Sequence, residues 1–154
     1  MITTQTTSVT PEKDKNGKAI IVKTINRIGG SEIYTFFLRQ MADLIDAGHS
    51  NPTTTWEDDH GAVYATEEDG TILGHIVYFH NPEKKMLWIT LSAVREDARG
   101  RGIYTKLHRY LEHIGRTLGC TSIQSTVHVN NGVRIASGMK FGLKAQYLLM
   151  NQPL

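Results

Sequence analysis

The sequence holds one cysteine, Cys120, which excludes an internal disulfide and fits a reducing compartment. No run of about eighteen apolar residues is present, the length that a bilayer-spanning helix requires. The start, Met1 to Thr10, is polar and threonine-rich and lacks the basic and apolar stretches of a secretory signal. Excess charge of one sign is also scarce: the formal net charge is +2, with the basic residues scattered along the chain. Nucleic-acid binding rests on a clustered basic face and gains no support from this pattern. The seven histidines form no His-x-x-x-His pair beside a carboxylate, so no metal site is expected. What is there is an ordinary globular composition, 40% hydrophobic and 21% charged, in 154 residues that suffice for one core and not for two. The expectation is a single cytoplasmic domain with no membrane segment.

The stretch Pro11-Glu12-Lys13-Asp14-Lys15-Asn16-Gly17 is polar and turn-rich, and it divides an arm (residues 1–17) from the domain (residues 18–154). Ala19 to Ile25 is β-branched and reads as a strand. Ser31 is a suitable N-cap for a helix whose apolar stripe is Ile33, Phe36, Phe37, Met41, Leu44 and Ile45, ended by Gly48. Residues 49–60 read as a loop. Ala62 to Thr66 and Thr71 to Phe79 flank Glu68-Asp69-Gly70, a strong hairpin signal, and Met86 to Val94 is a further strand. Leu107, Tyr110, Leu111, Ile114 and Leu118 recur at helical steps before Gly119. A strand over Ser122–Val129, a short helix over Gly132–Phe141 and a last strand over Leu143–Met150 complete the order. This order describes an α/β fold, a twisted mixed sheet flanked by helices on both faces.

Between the strand ending at Val94 and the next helix lies Arg95-Glu96-Asp97-Ala98-Arg99-Gly100-Arg101-Gly102-Ile103. Its glycines permit a sharp turn with exposed N–H groups, and the helix start adds unpaired donors and the positive end of a dipole. Arg99 and Arg101 bring charge and bidentate donors suited to phosphate. The Gly-Lys-Ser/Thr ending of a Walker loop is missing, and so is the third glycine of a dinucleotide fingerprint.

Arg99-Gly100-Arg101-Gly102-Ile103-Tyr104 resembles the Arg/Gln-x-x-Gly-x-Gly/Ala signature of the GNAT superfamily of N-acyltransferases, with Val94 at the hydrophobic place upstream. Asn131-Gly132-Val133-Arg134-Ile135-Ala136-Ser137-Gly138-Met139-Lys140-Phe141-Gly142-Leu143 is similar to the family's later stretch, with Asn, Lys and Gly in register. The resemblance covers about residues 18 to 150. It implies acetyl-coenzyme A (acetyl-CoA) as cosubstrate and an amine-bearing acceptor as partner. It also implies that Ser92, Ala93 and Val94 bond the pantetheine arm through their backbone. The amides of Arg99, Gly100, Arg101, Gly102, Ile103, Tyr104 and Thr105 would hold the pyrophosphate, and Asn131 would contact the thioester region. Tyr104 replaces the signature's final Gly/Ala. Gly138 stands where many members carry the tyrosine that protonates the thiolate, and Trp88 where the histone-modifying branch has its glutamate base.

His128, late in its strand and close to Asn131, is the candidate catalytic base; His75 and His80 are weaker candidates, and His108 and His113 read as surface residues. Cys120 reads as a small buried residue. Glu57-Asp58-Asp59, Trp56 and Tyr34 are candidates for the wall of an acceptor cleft. An alternative function is a coenzyme A-binding sensor without catalysis, suggested by Gly138 and Trp88. An exposed sheet edge at the C-terminal strand predicts cover by the β-prone arm Ile2–Val9 or by a second subunit in a homodimer.

Overall fold

The computed structural model describes residues 4–48, 60–127 and 132–145. Its elements are β1 (Thr7–Lys13), β2 (Ala19–Ile25), α1 (Glu32–Asp46), β3 (Gly61–Thr66), β4 (Ile72–Asn81), β5 (Met86–Val94), α2 (Ile103–Thr117), β6 (Ser122–Ser125) and α3 (Gly132–Lys140), with a short 3-10 turn at Glu96–Ala98. One six-stranded sheet follows chain order, β1-β2-β3-β4-β5-β6. Neighbours are antiparallel except β5 and β6, which are parallel because α2 carries the chain back across the sheet. The fold is thus mixed α/β, as the order of patterns implied.

Alternation along each strand feeds two cores. Ile20, Val22, Val63, Ala65, Ile76, Leu87 and Ile89 pack with Ile103, Leu107 and Leu111 of α2. Ala62, Tyr64, Val77 and Leu91 pack on the opposite face with Ile33, Phe37 and Met41 of α1. Ile89 and Leu91 share a parity yet serve opposite cores. The cause is a bulge: Val77 pairs with Leu91 and Tyr78 with Ile89, so Thr90 is the extra residue.

Two expectations change. The arm is not separate, since Thr7–Lys13 pairs along its whole length with β2, Thr7 opposite Ile25 and Lys13 opposite Ala19. Pro11 is tolerated there because β1 is an edge strand that can lack a ladder donor. The arm therefore covers the β2 side of the sheet and not the far edge. Leu143–Ala145, the described part of the expected last strand, is not strand; the remainder lies outside the described residues, as do Trp56 and Glu57-Asp58-Asp59.

Candidate functional site

The register brings the β1–β2 turn, the β3–β4 turn and the loop after β5 to one end of the sheet. Among the described residues the β5–β6 ladder runs only from Met86–Ser122 to Ile89–Ser125, whereas β5 continues to Val94. The bulge at Thr90 coincides with this parting, and among the described residues the last residues of β5 have no strand paired on that side. Ser92, Ala93 and Val94 lie on that free segment, half-buried, and Ser92 Oγ is buried without a hydrogen-bond partner among the described residues.

The loop then turns through Arg95, whose N–H donates to the Leu73 carbonyl at 2.8 Å, and enters α2. Gly100 (φ +80°) and Gly102 (φ +74°) occupy the left-handed region, and Gly102 is the N-cap of α2 with no side-chain capping bond. The first-turn amides of Ile103, Tyr104 and Thr105 have no acceptor inside the helix. No other backbone bond takes the amides of Gly100, Arg101 or Gly102 among the described residues. An uncapped helix start beside a free strand edge offers a row of donors and the positive end of a dipole to an anionic, amide-bearing chain.

The Arg101 side chain is held by two carboxylates. Its Nε donates to Asp14 Oδ2 at 2.7 Å and its Nη1 to Glu67 Oε1 at 2.9 Å, so the guanidinium faces the two hairpin turns. Asp14, whose side chain is 1% exposed, also accepts the amides of Asn16 and Lys18 at 2.9 Å each. The bond from Arg101, with those amides, holds the Asp14 carboxyl below the usual range, and Arg101 acts likewise on Glu67. What Arg101 can give a ligand is its backbone N–H, while Arg99 stays exposed. Asp14 and Glu67 were missed in the sequence because their value lies in contacts 87 and 34 residues away. An open depression of about 510 Å³ between the same turns is lined by Lys18, Ala19, Glu67, Glu68 and Asp69, an acidic wall unsuited to phosphate.

Tyr104 points toward α3. Its ring lies 5.4 Å from that of Phe141 and 5.9 Å from His108, with the Arg134 guanidinium 5.7 Å above it. The Tyr104 hydroxyl is buried and unpartnered among the described residues. His108, expected at the surface, is 3% exposed, because Phe141 stacks on it at 4.4 Å. Burial lowers its pKa. His113 is exposed as expected. A Cβ on Gly138 would lie 3.0 Å from Arg134 Nη1, so that arginine occupies the space beside this position.

On the α1 face, His75 is fully buried, edge-on to Phe36 at 5.1 Å, with both ring nitrogens unpartnered among the described residues; burial pushes its pKa down to about 4. Such an imidazole stays neutral and is a poor proton acceptor. Tyr34 is half-buried against the same core. Cys120 is half-buried and its thiol pKa is raised by desolvation. His128 and Asn131 lie outside the described residues. Among the described residues no group of three or more His, Cys, Asp or Glu is placed to hold a metal ion, and no helix is long and apolar enough to cross a membrane.

Comparison with known proteins bears on the fold and the family. No curated protein sequence matches the chain significantly. An aminoglycoside acetyltransferase from an uncultured soil metagenomic sample superposes with a TM-score of 0.63 at 20% identity, over 89% of this chain and 99% of that one. The ribosomal-protein-alanine N-acetyltransferase of Brucella melitensis gives 0.64 at 13% identity, over 88% and 99%. AAC(6')-Iy, solved with the bisubstrate analogue CoA-S-monomethyl-acetylneamine, gives 0.53 at 13% identity, over 82% and 84%. At these identities the likeness is one of fold. The sequence itself matches the model of the acetyltransferase (GNAT) family over residues 31–141, and the chain belongs to that family.

Proposed function

We propose that the protein transfers an acetyl group from acetyl-CoA to a primary amine. The observation that carries this reading is the uncapped start of α2 beside the end of β5 that is unpaired among the described residues, a donor array suited to pyrophosphate and pantetheine. Ser92 Oγ, buried and without a hydrogen-bond partner among the described residues, adds a polar group on the same end of β5. Bound acetyl-CoA would supply an activated thioester. Thiols, near pKa ~8.5, leave far more readily than amines near ~10.4, so loss of a general acid at Gly138 slows the reaction without abolishing it. His128, in the segment between β6 and α3, is the proposed proton acceptor, and Asn131 the proposed contact near the thioester.

Acetyl-CoA at a hundredfold excess over its dissociation constant should stabilise the fold by about 2.7 kcal/mol, seen as a thermal shift. No shift and no calorimetric heat at millimolar acetyl-CoA would remove the reading. A thiol-release screen against small amines, aminoglycosides, polyamines and peptide N-termini identifies the acceptor. Turnover should rise with pH as more amine becomes neutral, and His128→Ala should lower turnover more than coenzyme affinity. Coenzyme binding without turnover on any amine would favour a sensor instead. The outer side of β6, unpaired among the described residues, is the edge proposed for a homodimer; a monomer mass by light scattering at micromolar concentration excludes it.

A further inference from the structure

The β1–β2 turn is tethered to the loop by main chain as well as by the Arg101 ion pairs. The Lys15 N–H donates to the Arg101 carbonyl at 3.1 Å, one residue before the Gly102 N-cap. This contact lays the Lys15 side chain across Gly102. Its Cβ, Cδ and Cγ fall 3.3, 3.6 and 3.7 Å from the point that a Cβ on Gly102 would occupy. Lys15 is exposed and its aliphatic stem lies against the N-cap, which leaves the ammonium free to reach solvent beside the start of α2.

The carboxylates of this corner are already engaged. Asp14 holds Arg101 and two amides; Glu67 holds Arg101 and Lys18; Glu12 holds Lys106 and the Tyr110 hydroxyl at 2.9 and 2.8 Å. Among the described residues none of them pairs with Lys15. Among the described residues, a cation without a partner therefore stands at the same helix start whose first amides have no side-chain or backbone acceptor. A phosphate fits both features: it accepts from the amides at the positive end of the dipole, and it neutralises the ammonium.

We propose that Lys15 is a ligand for a phosphate group of coenzyme A and that the β1–β2 turn forms one wall of the coenzyme site. This proposal rests on the acyltransferase reading above. The turn precedes the segment that matches the family model, residues 31–141, so the assignment belongs to this chain's own N-terminal hairpin. Asp14 and Glu67 act as positioning residues, because they fix Arg101 and through it the turn that carries Lys15.

The test is calorimetric titration of the full chain with acetyl-CoA and with acetyl-3'-dephospho-CoA, at low and high salt, for wild type, Lys15→Met and Lys15→Arg. Methionine keeps the stem and removes the charge. Lys15→Met should bind acetyl-CoA roughly tenfold more weakly at low salt, the worth of one charge-assisted contact, with the deficit shrinking at high salt. Lys15→Arg should retain most of the affinity. Melting temperature without ligand should be unchanged, and KM for acetyl-CoA should rise while kcat holds. If the deficit persists with the dephospho ligand, Lys15 meets the pyrophosphate; if it vanishes, Lys15 meets the 3'-phosphate. Wild-type affinity in Lys15→Met at low salt overturns the proposal while leaving the acyltransferase reading intact. Failure of the wild type to bind either ligand refutes both.

Discussion

Replacing Gly102 with valine should abolish measurable acetyl-CoA binding and lower the melting temperature. At φ +74° the backbone is left-handed, a conformation that costs a residue other than glycine about 1–3 kcal/mol, with β-branched side chains at the upper end. The new Cβ would also sit 3.3 Å from Lys15 Cβ, tighter than ordinary contact, so strain and crowding act together. Relief would come by rotating the N-cap or by pushing the β1–β2 turn away, and either move takes the first-turn amides of α2 out of line. Gly102→Asn serves as control, because asparagine adopts the left-handed region several times more readily. Its stability should fall by less than that of the valine variant, and part of its binding should survive. Urea unfolding and titration calorimetry measure the two effects separately. A valine variant with wild-type affinity would show that the coenzyme does not use this loop.

Stability should fall by roughly 3 kcal/mol as pH drops from 6.5 to 4, through His75 alone. The imidazole titrates near 6.5 when unfolded and near 4 when folded, because burial disfavours its charged form. Between those values the unfolded chain binds more protons, so stability present above pH 6.5 is lost progressively down to the folded pKa. His108, also lowered by burial, adds to the slope in the same direction. The carboxylates of Asp14, Glu67 and Glu12, all held low by hydrogen bonds, extend the loss below about pH 4, where the unfolded groups protonate first. His75→Leu should flatten the slope between pH 6.5 and 4 by about the His75 share. It should also stabilise the fold near neutral pH, since two ring nitrogens without a partner among the described residues leave the core. Unfolding curves at several pH values decide the matter: a leucine variant that keeps the wild-type slope would place the acid sensitivity elsewhere.

Local patterns in the sequence determined most of the elements. A β-branched run gave the strand at Ala19–Ile25, helical spacing located α1 and α2, and Asp69-Gly70 marked the β3–β4 turn. The glycine loop and its helix start were legible for the same reason: a left-handed N-cap followed by unpaired amides is written in adjacent residues. Tertiary structure alone decided what depends on distant partners. The hairpin carrying Thr7–Lys13 joined the sheet because β2 offered it a full ladder, which outweighed the polar, proline-containing composition that had marked it as an arm. The Arg101 side chain pairs with Asp14 and Glu67 because the strand register puts those carboxylates at its side, and no local pattern encodes that register. His108 became a core residue because Phe141 closes over it. The bulge at Thr90, which moves Leu91 to the α1 face and frees the end of β5, arises from how β4 and β5 pair, a relation between strands that neither strand carries alone.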